Sequence, residues 1–113
     1  MDRAGLIEQL LSYERSVSDV VADLAAYGCD SDVPLAELKP SHIEHALDRY
    51  VQKELSALEI EEWANAIECR DDIAYEPSSV EGEIIFELAN PELTMQLSQP
   101  RAEELVRQLS VDS

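Results

Sequence analysis

LSALEIEEWANAIECRDDIAYE, residues 55–76, opens like a capped helix, carries the only tryptophan of the chain and runs into a crowd of carboxylates. Ser56 and Glu59 have the spacing of a capping box, in which a serine and a glutamate satisfy opposite backbone donors at a helix start. On a wheel turning about 100° per residue, Ile60, Trp63, Ala64 and Ile67 fall on one stripe. That stripe predicts an amphipathic helix with Trp63 in the core, its indole N–H in need of an acceptor. Glu59, Glu61, Glu62 and Glu68 lie outside the stripe, and so does Leu58, near Glu62 and Asn65.

The same periodicity continues on both sides. Leu6, Leu10, Tyr13, Val17, Val20, Leu24 and Tyr27 recur at spacings of four and three, which predicts a first helix over about 3–27. Ser16 and Ser18 are weak helix residues and mark a place for a bend or break, and Gly28 is a natural stop. Asp32 and Pro34 suggest a short helical turn in the connector 29–40. Ser41 and Glu44 form a second capping box before Ile43, Ala46, Leu47 and Tyr50. Ser78 and Glu81 form a third before Val80, Ile84, Ile85 and Leu88, and Asn90-Pro91 closes that helix. Within it EIIFEL also has the β-propensity of a short strand, because short apolar runs are ambiguous. Ser98 and Pro100 open a last helix whose face is Ala102, Leu105, Val106 and Leu109. The fold expected is all-α, a compact single-domain bundle of about five helices over 1–113.

At 113 residues the chain can bury about two-thirds of its unfolded surface without a metal or disulfide to hold it. Its 45% hydrophobic and 29% charged residues are those of a globular protein, and three glycines are few for a turn-rich β fold. No apolar run approaches the ~20 residues of a membrane span. Glu8 and Gln9 interrupt any signal-peptide core, so the expected location is cytoplasmic. Cys29 and Cys69 have neither zinc nor CxxC spacing and read as reduced thiols, with a disulfide between them left open.

The net charge of −17 is the outlier. Residues 54–92 hold twelve of the 25 acids and one of the eight bases, Arg70. Such a surface repels phosphate, which speaks against nucleic acid and anionic membranes, and it attracts cationic proteins. Simple solubility is the plain alternative. For catalysis, two carboxylates would have to occupy different environments in a pocket, whereas these fall on the wet side of a helix. Asp71, Asp72 and Glu76 are hard oxygen ligands without the layout of a calcium loop. His42, Glu44 and His45 lack the HExxH spacing of a zinc site. The expectation is a protein that is not an enzyme and holds no metal or cofactor.

The set LSALE, WAN, RDDI and LANPE resembles a group of small acidic bacterial proteins, and through it colicin-like immunity proteins, over about residues 41–109. Leu58 and Cys69 depart from the pattern, which more often has an acid and a glycine there. The resemblance implies stoichiometric inhibition of a basic, nuclease-like toxin by a carboxylate surface. The partner-binding residues expected are Leu58, Glu59, Glu62, Glu68, Asp71, Asp72, Ile73, Tyr75 and Glu76, with Leu58, Ile73 and Tyr75 as apolar anchors. Charge reversal at Asp71 and Asp72 is expected to slow association and weaken its salt dependence. Mimicry of DNA by rows of carboxylates stands beside this reading. The rivals are a structural or regulatory homodimer formed through the first helix, motivated by its heptad-like seam, and a carboxylate metal-dependent enzyme.

Overall fold

Six helices and one pair of two-residue strands make up the computed structural model, which describes residues 3–27, 35–68, 70, 73–76 and 78–112. In chain order the elements are α1 (Arg3–Leu11), α2 (Val17–Leu24), β1 (Ala36–Glu37), α3 (Pro40–Val51), α4 (Ala57–Glu68), β2 (Ile73–Ala74), α5 (Val80–Ala89) and α6 (Gln99–Asp112). The all-α class follows. Helix α4 packs chiefly on α5, α3 on α6 and α1 on α2. The radius of gyration is 13.3 Å, close to the ~13 Å of a globular domain of about 100 residues.

The first apolar seam is continuous in sequence, but the helix is not. After Leu11 the chain closes a Schellman motif: Glu14 N–H donates to Gln9 O at 3.0 Å and Tyr13 N–H to Leu10 O at 3.2 Å. Tyr13 takes the left-handed position with φ 50°. Ser16 then caps α2, its hydroxyl accepting from Asp19 N–H at 3.3 Å. Arg15 bridges the break, donating to Gln9 at 3.3 Å and to Asp23 at 2.8 Å. The seam residues Leu6, Leu10, Tyr13, Val17, Val20 and Leu24 are all buried, so they line the chain's own core. Tyr27, the last residue of the seam, is exposed, as is Val21 beside it on α2. Helix α2 ends at Leu24; Gly28, the Asp32–Pro34 turn and both cysteines lie outside the described residues.

Two other helix starts move by a residue or so. Helix α3 begins at Pro40, which fits a first turn because it has no N–H to satisfy there. His42 Nδ1 then accepts from Lys39 N–H at 3.0 Å, the role assigned to a Ser41 box. Helix α5 is capped by Ser79, not Ser78, with Gly82 N–H donating to its hydroxyl at 3.1 Å. EIIFEL lies inside α5. Ile84 and Ile85 are both buried while Phe86 is 47% exposed, a pattern of a helix and not of an alternating strand. The box at Ser56 stands as expected: Ser56 N–H donates to Glu59 at 3.0 Å, and Glu59 N–H to Ser56 at 3.1 Å.

The strands β1 and β2 run parallel, Ala36 opposite Ile73 and Glu37 opposite Ala74. They fasten the segment before α3 to the segment before α5, and Leu38 and Ile73 reach the core beside them. Trp63 is fully buried and its indole N–H donates to Leu10 O at 2.7 Å. That carbonyl belongs to the last turn of α1 and also accepts from Tyr13 N–H at 3.2 Å, so it carries two donors. The Trp63 side chain of α4 thereby fastens α4 to the end of α1.

Candidate functional site

Helix α4 turns Leu58, Glu61, Glu62, Asn65 and Glu68 away from its buried stripe, and the packing around it divides them between two flanks. On one flank Glu59 and Glu62 approach Tyr13. Glu59 accepts from Ser56 N–H at 3.0 Å and its charge bears on the Tyr13 phenol, so its carboxylate is engaged inside the fold. Arg49 donates to Tyr13 O at 2.8 Å and lies 5.2 Å from the centre of its ring. Burial raises the Tyr13 pKa above the ordinary phenol value. The Glu59 charge adds to the rise, Arg49 opposes it, and Glu62 adds a further part.

On the other flank Leu58, Glu61 and Glu68 meet the end of α5 and the segment 90–97. Asn90 Nδ2 donates to Phe86 O at 3.0 Å and lies 3.4 Å from the Glu68 carboxylate. The Thr94 hydroxyl lies 2.9 Å from Asn90 O and 3.1 Å from Glu87 O. Leu93 N–H and Thr94 N–H also donate to Asn90 O, at 3.0 and 3.1 Å. Glu87 is held by Arg101 through two bonds of 2.8 and 2.6 Å, which pin α6 to α5 and keep this carboxylate from other work. Those bonds, with a further one to Glu104, raise the Arg101 pKa.

So braced, the segment turns two large apolar side chains outward. Leu58, Met95 and Leu97 help line a hollow of about 140 Å³, floored by Ile60 and Leu88. Glu61 and Pro91 border it and also border a neighbouring concavity of about 370 Å³ that includes Glu92 and Leu93. Glu61, Glu62, Glu68 and Glu92 make no ion pair among the described residues.

The remaining expected residues lie elsewhere. Ile73 is 5% exposed and sits in the core, which corrects its assignment as a surface anchor: the β2 pairing turns it inward. Tyr75 is half-buried and Glu76 exposed, beside a groove of about 530 Å³ that also includes Glu37 and Glu81, just past the ends of the two strands. Asp71 and Asp72 lie outside the described residues. Among the described residues no three His, Cys, Asp or Glu side chains converge as a metal site would require. His42 is half-buried, with one nitrogen occupied by the Lys39 N–H, while His45 is exposed. No helix among them is long and apolar enough to cross a membrane.

Sequence reasoning missed Glu61, Glu92, Leu93 and Met95. The signal for the last two was present in NPELTMQLSQP, where large apolar residues sit in a connector without helical spacing. Comparisons with protein families, curated proteins and solved structures found no match to this chain.

Proposed function

We propose that the chain is an acidic protein-binding module that inhibits a basic partner by one-to-one occupation of its surface. The supporting observation is the α4 flank just described, where Glu61, Glu68 and Glu92 are free of ion pairs among the described residues and stand near exposed apolar side chains. An anionic face with apolar groups at its centre suits a cationic protein: the charges speed encounter and orient it, and the apolar contacts slow release. The resemblance to immunity proteins adds the toxin-like identity of that partner, with a cationic nuclease cleft as the surface covered. The work is done by contact and needs no reactive group.

The test begins with the partner recovered from native lysate and identified, then titrated against the wild type and a Glu61→Lys/Glu68→Lys double variant. We expect one-to-one binding with an association rate that falls as salt rises. The double variant should associate about tenfold more slowly, since electrostatic steering contributes 10-fold or more to such rates. An association rate indifferent to both salt and the charge reversals would overturn the reading. A homodimer through the first helix would have to use what the fold leaves exposed there, Val21 and Tyr27, because Leu6, Leu10, Tyr13, Val17, Val20 and Leu24 are buried within the chain.

A further inference from the structure

Leu93, Leu58 and Met95 are 75%, 60% and 51% exposed, more than any other large apolar side chain among the described residues. They come from two elements far apart in sequence, yet the fold gathers them around two adjoining concavities that share Glu61 and Pro91. Side chains left in water on a free loop would be unremarkable. Here the loop is held by the Asn90 and Thr94 bonds, so its apolar groups are fixed in place before any partner arrives, which lowers the ordering cost of binding.

We infer that the hollow between Leu58 and Met95 receives one large apolar side chain of a protein partner, in a segment carrying Lys or Arg on either side of it. This deepens the function proposed above and rests on it. Size supports the first half: about 140 Å³ is close to the volume of a cavity that holds a benzene-sized group, which suits a Phe, Leu or Met side chain. Charge supports the second half. Glu61 stands at the rim and Glu92 borders the adjoining concavity, while the nearby cation Arg101 is neutralised by Glu87 and Glu104. A second copy of this chain is a poor occupant, because it would bring the same acidic rim and a net charge of −17 against itself.

Three peptides of alternating lysine and glycine separate the terms: one with a central phenylalanine, one with serine there, and one with the phenylalanine but glutamine for every lysine. Each is titrated at low salt into the full chain, followed by backbone amide NMR. We expect the first to bind about tenfold or more tightly than either of the others, as burial of one aromatic side chain allows. It should move the amides of Leu58, Met95 and Leu97. The variant Leu58→Ser/Met95→Ser, at exposed positions that leave the core intact, should lose that advantage while still binding the serine peptide. Equal binding of the phenylalanine and serine peptides, or shifts centred on Tyr75 and Glu76, overturns the inference and leaves the charge-based function standing. Concentration-dependent shifts at Leu58 and Met95 without peptide would make a second copy the occupant and also overturn it. No binding by either lysine peptide removes the inference and the function together.

Discussion

His42 shows how much a single side chain is asked to do. Its Nδ1 must carry a lone pair to accept the Lys39 N–H, so only the neutral ring completes the start of α3. Burial lowers its pKa; Glu8, 4.0 Å away, acts the other way, and Lys39 and His45 act with burial. A pKa depressed in the folded state means that the unfolded chain takes up the proton first. The stability from the neutral ring is present above about pH 6.5 and is lost as pH falls toward the lower folded value. We expect the wild type to lose melting temperature relative to His42→Asn between about pH 7.5 and 5.5. The asparagine can accept the same bond without titrating, and the comparison cancels the general relief of charge repulsion on acidification. Parallel curves for the two proteins would show that His42 does not set this dependence.

At the scale of elements, helices here end without glycine. Tyr13 and Lys53 both take positive φ, 50° and 67°, and both occupy the position of a Schellman motif where glycine is usual. At the end of α3 the bonds run from Glu54 N–H to Arg49 O at 2.8 Å and from Lys53 N–H to Tyr50 O at 2.9 Å. A side chain in that conformation costs about 1–2 kcal/mol. Tyr13 offsets the cost through its buried ring and its contacts with Arg49 and Glu59. Lys53 is exposed and has no comparable contact. Lys53→Gly should therefore stabilise the protein by a few tenths to about 1 kcal/mol, the strain relief being partly cancelled by glycine's greater freedom when unfolded. Urea denaturation measures this directly, and a lower midpoint for the variant would show that the lysine side chain contributes more than its backbone costs. Tyr13→Gly should do the reverse, since it would remove a core ring.

At the scale of the whole molecule, a charge of −17 is spread over a body of 38 × 27 × 24 Å. Eight bases cannot balance 25 acids; among the described residues Asp23, Glu54, Glu87 and Glu104 pair with Arg15, Arg49 and Arg101. Repulsion among the rest opposes the compact state more than it opposes the expanded one. The melting temperature at neutral pH should rise as sodium chloride goes from about 20 mM to 500 mM, because the screening length falls from roughly 20 Å to a few ångströms. A flat or falling profile would mean that the acids are spaced too widely to repel. The same salt should weaken the binding of a basic partner, so folding and recognition respond in opposite senses.

Much of the fold was legible because helical signals are local. The stripe of Ile60, Trp63, Ala64 and Ile67, the Ser56–Glu59 box and the need of Trp63 for an acceptor all follow from a backbone period and an unsatisfied donor. The errors were small shifts where two local signals competed, Pro40 against Ser41 and Ser79 against Ser78. The break expected at Ser16 and Ser18 is present, but it starts a few residues earlier, at Tyr13, where a Schellman motif with a non-glycine residue ends α1 before Ser16 caps α2. The candidate site was less legible. Residues 54–92 look like one acidic surface in sequence, whereas in the structure Glu59 supports Tyr13, Glu87 binds Arg101, Ile73 enters the core and Glu76 faces a separate groove. By itself the sequence determined the all-α class, the buried faces and the excess of negative charge, since these depend on periodicity and composition. Only the tertiary structure decided that Leu58 stands beside Met95 and Leu93 around an acidic-rimmed hollow, because neighbours across elements are set by how helices pack, which no local period encodes.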